Sequence, residues 1–471
     1  MALVLAACES SFDFHTDFYH DGVSSDRRDE YGGREVREES RNVLLLYSAG
    51  FNSLSGYLEE DIRDLLSGEL PSEGRIKDVL LVYSHLPVNK GAYATPSSPV
   101  LTRVYKDIYG NVASDTLVVY PSSARSASAA QLNEVLTYVR DNFPAKTYGM
   151  IFSSHATGYL PTGFYTSPDS YVFSPELSTL GTERCGEPRG VPYVEPEHDP
   201  TLPMVKSVGQ DQVGGYGAYL SYEIQIEDFA RALPMYMDYI LFDACLMGGV
   251  EVAYELKDRC GLVGFSQTEV LAEGFDYRSI PNYLLSGQEP DPESVCRDYF
   301  EQYDVQSGIY RSATISLVDC RRMESLAVIC ADLFGKYRRD MQHVSPFNVQ
   351  RYYRYDYHWF YDLVDILVKA GADPADVKAL ESAVDDCMVY RAATPEFMGS
   401  FDIDSYSGFS MYLPSDGGRE LDNYYRTLKW NIATSTLRFA RLNNLELVSS
   451  IKHLHLMFKS KSRFRKPLKR L

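Results

Sequence analysis

Apolar residues recur along this chain at two periods, and their alternation is the first thing the sequence offers. Asn42-Val-Leu-Leu-Leu-Tyr-Ser48 and Asp78-Val-Leu-Leu-Val-Tyr-Ser84 are unbroken apolar runs, as in strands covered on both faces of a sheet. Between them, Leu54 to Leu66 carries its apolar residues at helical spacing. Leu101 to Asp107 and Thr116 to Tyr120 read as further strands. A helix over Ala127 to Asn142 follows, with Leu132, Val135, Leu136 and Val139 on one side, and then a strand from Tyr148 to Ser154. This alternation predicts an α/β fold with a mostly parallel sheet covered by helices on both faces.

From Thr157 to Tyr216 the periodicity dissolves into glycine, proline and polar residues. So long a segment without clear elements inside a domain points to a functional or processed loop. A helix resumes over Ile224 to Ala232, and a strand is expected over Gly261 to Ser266. Helices dominate from Glu293 onward: Ser294 to Tyr303, Cys320 to Arg338 after a strand at Ser312 to Val318, Tyr361 to Lys369, and Ala375 to Val389 behind Pro374. Asp404 to Leu413 is apolar at alternate positions and reads as a late strand returning to the core. The expected division is a core over 42–290 containing the loop 157–216, a helical region over 291–445, and a basic tail over 446–471. That tail is read as a solvated end in preference to a contact for anionic surfaces.

The stretch that carries chemistry is Asp238 to Lys257. Tyr239 to Phe242 is a short apolar strand, and Val250, Ala253, Tyr254 and Lys257 recur at helical spacing. Cys245 therefore falls where a strand gives way to a helix, the usual place for ligand and catalytic groups in open α/β sheets. The positive end of that helix would favour thiolate there. Asp243, two residues earlier, can point the same way as Cys245. The competing reading is a buried, inert cysteine.

A thiolate nucleophile needs a proton acceptor and donors for the oxyanion it creates. Of nine histidines, His155 ends an apolar strand as Cys245 does, so two adjacent strand ends can bring both to one crevice. His85 also follows a strand and is not excluded by position.

Charge and cysteine usage narrow the field. A net charge of −19 argues against a nucleic-acid-binding surface. The eight cysteines include no CxxC pair and do not form a disulfide framework. No apolar run reaches the roughly 18 residues of a membrane-spanning helix.

Asp243-Ala-Cys245-Leu-Met-Gly-Gly-Val-Glu-Val-Ala-Tyr-Glu-Leu resembles the nucleophile segment of the clostripain family of cysteine peptidases. Leu44 to Ser55 with Tyr57 to Asp61 resembles that family's first strand and helix. Ser154-His155-Ala156-Thr-Gly158 resembles its histidine segment, and Ser407 to Pro414 its late core strand. The resemblance runs from about residue 42 to 430. It implies a caspase-like α/β/α sandwich with a largely helical C-terminal region, and a peptidase that needs no cofactor for its chemistry. By it, Cys245 is the nucleophile and His155 the general base and acid. The backbone N–H groups of Ala156 and Cys245 form the oxyanion hole. Asp243 then binds a basic substrate side chain, so the partners are protein or peptide substrates cleaved after Arg or Lys. Glu269 and Glu273, beyond the next strand, are further candidates for that pocket.

Two departures bear on this. Ala156 stands where the family usually has glycine, which is tolerable only if the backbone needs no glycine conformation. Self-cleavage between histidine and cysteine occurs in the family, and Arg184, Arg189 and Lys206 are the basic residues available in the loop. Calcium dependence also occurs in the family, but no EF-hand-like spacing is present. Leu5-Ala6-Ala7-Cys8 resembles the lipobox of bacterial lipoproteins, implying lipidation at Cys8, with 9–41 as a polar tether. That places the chain at a bacterial cell envelope, lipid-anchored or exported, as a monomer touching membrane only through its anchor. The rival from another class is a catalytically silent surface protein that uses the same fold for binding.

Overall fold

The computed structural model describes residues 40–72, 78–87, 97–173, 191–193, 201–205, 211–215, 218–414 and 416–439. The apolar runs become a nine-stranded sheet. Its strands are β1 (Ser40–Ala49), β2 (Val79–His85), β3 (Val100–Lys106), β4 (Val112–Val119), β5 (Ala145–Ser153), β6 (Met237–Asp243), β7 (Cys260–Phe265), β8 (Thr314–Asp319) and β9 (Met388–Ala393). They lie in the order β9-β8-β7-β6-β5-β1-β2-β3-β4. The five central strands, β7-β6-β5-β1-β2, are parallel. The two outer strands on each side run antiparallel. The short turn between β3 and β4 forces that pair to be antiparallel, because a parallel pair needs a crossover of a dozen or more residues.

Helices cover both faces. On one, α1 (Ser55–Ser67) lies beside α5 (Ile280–Leu284), joined through Arg278 to Ser67 and Asp64, and α5 packs on α6 (Pro292–Asp304). On the other, α2 (Ala129–Asn142), α3 (Ile226–Ala232) and α4 (Val250–Leu256) pack in sequence. α7 (Met323–Lys336), α9 (Pro374–Asp385) and α11 (Lys429–Thr434) extend that layer, with α8 (Leu363–Lys369) against α9. α10 (Gly418–Tyr425) precedes α11. The result is an α/β/α sandwich. Its buried apolar side chains run from Val43 to Leu437, so the C-terminal helices close the same core as the sheet.

Four expectations need correction. The helix expected to reach Val389 ends at Asp385, and Met388 begins the edge strand β9. Asp385 and Asp386 sit at the negative end of that helix, where acids are unfavourable. The late segment Asp404–Leu413 forms a ladder only at Ser410–Met411, against Tyr361–Asp362, and never joins the main sheet. Phe409 to Leu413 are all buried, so no face alternates with solvent. The loop 157–216 is not without structure. Val191–Tyr193 and Asp211–Gly215 pair with Ala218–Tyr222, just beyond the loop, in a separate three-stranded antiparallel sheet, too short per strand to show a period. The helix expected from Cys320 opens with a 3₁₀ turn and becomes α-helical at Met323. The N-terminal residues through 39 and the basic tail 446–471 lie outside the described residues. Among the described residues no helix is long and apolar enough to cross a membrane.

Candidate active site

Strand register brings the two sequence candidates together. β5 and β6 are adjacent and parallel, with Ser153 paired to Asp243. His155 and Cys245 each stand two residues beyond that pair, so they leave neighbouring strands at the same edge, about 5 Å apart in strand spacing. His85 ends β2, separated from β6 by β1 and β5. Its ring stacks on Phe51, and its Nδ1 is 3.0 Å from Ser126 Oγ, so it serves the packing of that end of the sheet.

The turn after β6 is held from below. Leu246 N–H donates to Thr268 O at 2.9 Å and Gly248 N–H to Ser266 O at 2.7 Å, fixing the turn to the chain leaving β7. Leu246 adopts φ 61°, a left-handed conformation that leucine rarely takes. Strain of this kind persists only where surroundings over-determine it, and functional turns are a common place for it. Gly158, in the histidine segment, packs against the same turn. A Cβ there would approach the Leu246 carbonyl oxygen to 2.4 Å, and its own φ is also 61°.

Cys245 is completely buried. The helix-dipole expectation is not what acts on its sulfur. α4 begins only at Val250, capped by Gly249, and has seven residues. Instead Val270 N–H points at Sγ from 3.0 Å, and the Val270 carbonyl oxygen lies 3.7 Å from the same sulfur, so this backbone unit holds the thiol in place.

His155 is also buried, and its Nε2 lies 3.2 Å from Ser53 Oγ. Ser53 belongs to the turn after β1, shaped by Asn52, whose Oδ1 accepts from Leu54 N–H and whose Nδ2 donates to Ala49 O. β1 flanks β5 on the side away from β6. Nε2 therefore faces the Ser53 side. Ala156 follows at a φ outside the left-handed region, so alanine replaces glycine there without strain. A cavity of about 50 Å³ runs beside His155, Ala156 and Gly158 over Phe152 and Phe229.

The three acidic candidates part company. Asp243 is buried, and its Oδ2 accepts from Tyr277 OH at 2.6 Å and from Ser153 Oγ at 3.1 Å. The Tyr277 hydroxyl is pushed well up, by burial first and then by Asp243 and Asp61, which sets both carboxylates near it. Glu273 is exposed on the same loop. Glu269 is buried, but it is already paired, Oε2 lying 2.7 Å from Arg354 Nε. Cys8, Arg184, Arg189 and Lys206 lie outside the described residues. Among the described residues no group of three or more histidine, cysteine or acidic side chains gathers as a metal site.

The family model for the clostripain family matches residues 46–169 and 195–441, well over half of the sequence. The chain belongs to the clostripain family. It is accordingly a cysteine peptidase, a hydrolase whose chemistry needs no cofactor. Solved structures of the family share its fold. A structure described as an inactive zymogen C11 protease from Parabacteroides distasonis aligns over 85% of this chain and 99% of its own, with TM-score 0.65 and 24% identity. A secreted C11 cysteine protease from Bacteroides thetaiotaomicron aligns over 84% and 99%, with TM-score 0.63 and 20% identity. A structure of a secreted C11 protease of that organism with an irreversible peptide inhibitor gives TM-score 0.62 at 22% identity, covering 84% and 99%. Among curated proteins no relative matches. The caspase-like sandwich of this clostripain-family peptidase is thus the fold of those enzymes.

Sequence reasoning passed over Ser53, Val270, Tyr277 and Arg354. Ser53 stood within a quoted segment, but a serine after a strand has no signature of its own. Val270 acts through its backbone, which no residue type reveals. Arg354 had a signal, the aromatic run Tyr352-Tyr-Arg-Tyr-Asp-Tyr-His-Trp-Phe-Tyr361, that helical periodicity does not explain.

Proposed function

We propose that this peptidase cleaves peptide bonds after Arg or Lys with Cys245 as nucleophile and His155 as general base and acid. The observation that carries the reading is the β5–β6 register, which sets both residues two positions beyond a paired Ser153 and Asp243. His155 Nδ1 takes the proton of the Cys245 thiol, and the thiolate attacks the substrate carbonyl carbon. The tetrahedral oxyanion is met by backbone N–H groups of Ala156 and Cys245. Its collapse breaks the C–N bond, and the imidazolium hands its proton to the departing amine. Water, deprotonated by the same imidazole, then hydrolyses the thioester and regenerates the thiol. Ser53 positions the ring by accepting Nε2–H, which leaves the Nδ1 lone pair for the thiol.

Asp243 and the exposed Glu273 supply the negative charge that selects a guanidinium or ammonium side chain. Cleavage in the 157–216 loop, at Arg184, Arg189 or Lys206, is proposed to activate the chain. Export to the cell envelope is proposed with it, by lipid attachment at Cys8, and action as a monomer. The test is hydrolysis of fluorogenic peptides ending in Arg, Lys, Ala or Asp, before and after limited trypsin treatment. Turnover of the Arg and Lys peptides that Asp243→Asn reduces at least tenfold is expected. Equal turnover of the Ala or Asp peptides would overturn the basic specificity.

A further inference from the structure

The nucleophile is present but shut in. Cys245 has no exposed surface, and the segment 351–361 meets the chain beside it through Arg354, which pairs with Glu269 next to Val270. The two ends of this segment are tied together. Arg351 bridges Tyr361, Tyr352 N–H donates to Phe360 O at 2.9 Å, and the Arg351 guanidinium contacts the His358 imidazole. Between these ties the chain has neither helix nor strand, and its tip carries Tyr353, Arg354 and Tyr355. Trp359, at φ 25°, marks the end of the loop with a backbone conformation that tryptophan seldom adopts.

Tyr353 and Arg354 turn inward at the tip, whereas Tyr355 is 41% exposed. Tyr353 OH donates to Tyr165 OH at 2.6 Å. The Arg354 guanidinium lies over the Tyr355 ring at 4.6 Å and pairs with Glu269 at 2.7 Å. Glu269 is fully buried and the Arg354 side chain 10% exposed. The residue next to Glu269 is Val270, whose N–H holds the Cys245 sulfur. Burial pushes the Tyr355 hydroxyl up, Arg354 opposes this, and Glu269 and Cys245 push it further.

An ion pair buried this deeply is a poor device for stability alone. Desolvating both charges costs about as much as their attraction returns, and apolar replacements are often as stable. What the pair does show is a recess beside the nucleophile that accepts a guanidinium, with a carboxylate at its base and tyrosines for walls. We propose that Glu269 is the base of a subsite for a basic side chain of the substrate, additional to the one selected at Asp243. Arg354 fills it in cis, so the loop 351–361 closes Cys245 until a substrate Arg or Lys displaces it. The substrate class rests on the peptidase reading above, whereas the closure rests on geometry alone.

The experiment reads the accessibility of Cys245, not turnover. The folded full chain is treated with iodoacetamide, and modification of the Cys245 peptide is followed by mass spectrometry. Arg354→Ala is expected to raise the alkylation rate about tenfold, and ethylguanidinium to slow it again by entering the vacated recess. Arg354→Lys, which keeps the charge and guards against loss of fold, is expected to stay near the wild-type rate. In Arg354→Ala combined with Glu269→Gln, ethylguanidinium is expected to give no protection. An unchanged alkylation rate in folded Arg354→Ala would overturn the closure. Acceleration that ethylguanidinium leaves untouched, or protects equally without Glu269, would overturn the subsite. Absence of peptide hydrolysis in every variant would remove the proteolytic reading and leave the alkylation result to decide the closure by itself.

Discussion

At the scale of single residues, a group that exchanges protons is distinct from one that only holds it in place. His155→Ala removes the proposed general base and is expected to lower kcat by about 10²–10⁴. Ser53→Ala removes one hydrogen bond to Nε2. Ser53 is exposed, so water partly replaces the hydroxyl and the loss is a few-fold, as for a bond worth about 1 kcal/mol. Steady-state kinetics across pH would separate the two: Ser53→Ala is expected to reduce kcat with KM unchanged and to shift the pH profile, and Ser53→Thr to restore both. A Ser53→Ala enzyme changed only in KM would contradict the positioning role. Cys245 and His155 were legible in the sequence because each ends an apolar strand. Their partners were not, because Val270 acts through its backbone N–H and Ser53 through proximity created by folding.

At the scale of elements, the active edge depends on how two turns fit. The histidine segment meets the cysteine turn at Gly158, where a Cβ would lie 2.4 Å from the Leu246 carbonyl oxygen. Gly158→Ala must therefore push the turns apart as well as adopt an unfavourable positive φ. The expected cost is about 1–3 kcal/mol of stability, read by urea denaturation. Activity is expected to fall more than tenfold, since a displaced histidine misses the thiol. A variant with unaltered stability and rate would show that the two turns do not depend on one another. The central strands were readable because both of their faces are covered, which leaves unbroken apolar runs such as Val43 to Tyr47. The edge strand β9 was misread because its burial is only partial, and one covered face over six residues can pass for the end of a helix. The little sheet that pairs the 157–216 loop with the strand just beyond it was missed for a related reason, its strands having three to five residues each.

At the scale of the whole molecule, the buried carboxyl of Glu251 and the half-buried one of Glu227 bind the C-terminal helices to the central layer. Glu251, on α4, accepts from Tyr412 N–H at 2.9 Å and Tyr425 OH at 2.6 Å. Glu227, on α3, accepts from Tyr424 OH at 2.8 Å. Burial pushes both carboxyls up to about 7, from an ordinary value of 4.5. A carboxyl raised on folding stabilises the native state fully below its unfolded value, and that contribution is lost as pH rises toward the folded one. Stability is therefore expected to decline between about pH 4.5 and 7 through these two groups. Glu251→Gln keeps the shape and removes the charge. Thermal unfolding is expected to show it close to wild type at pH 5 and more stable at pH 8, by about 1–3 kcal/mol. An equal effect at both pH values would mean that Glu251 is not titrating in this range. These cross-ties were invisible in the sequence, which joins Glu251 to Tyr425 only through the fold.

The central claim is that Cys245 attacks the substrate and His155 activates it, and covalent trapping tests it most directly. The full chain would be incubated with a peptidyl chloromethyl ketone ending in Arg, and the modified residue located by mass spectrometry. One adduct on Cys245, formed at least a hundredfold more slowly in His155→Ala and absent in Cys245→Ala, is the predicted result. Modification of another residue, or a Cys245 adduct formed as fast without His155, would contradict the account.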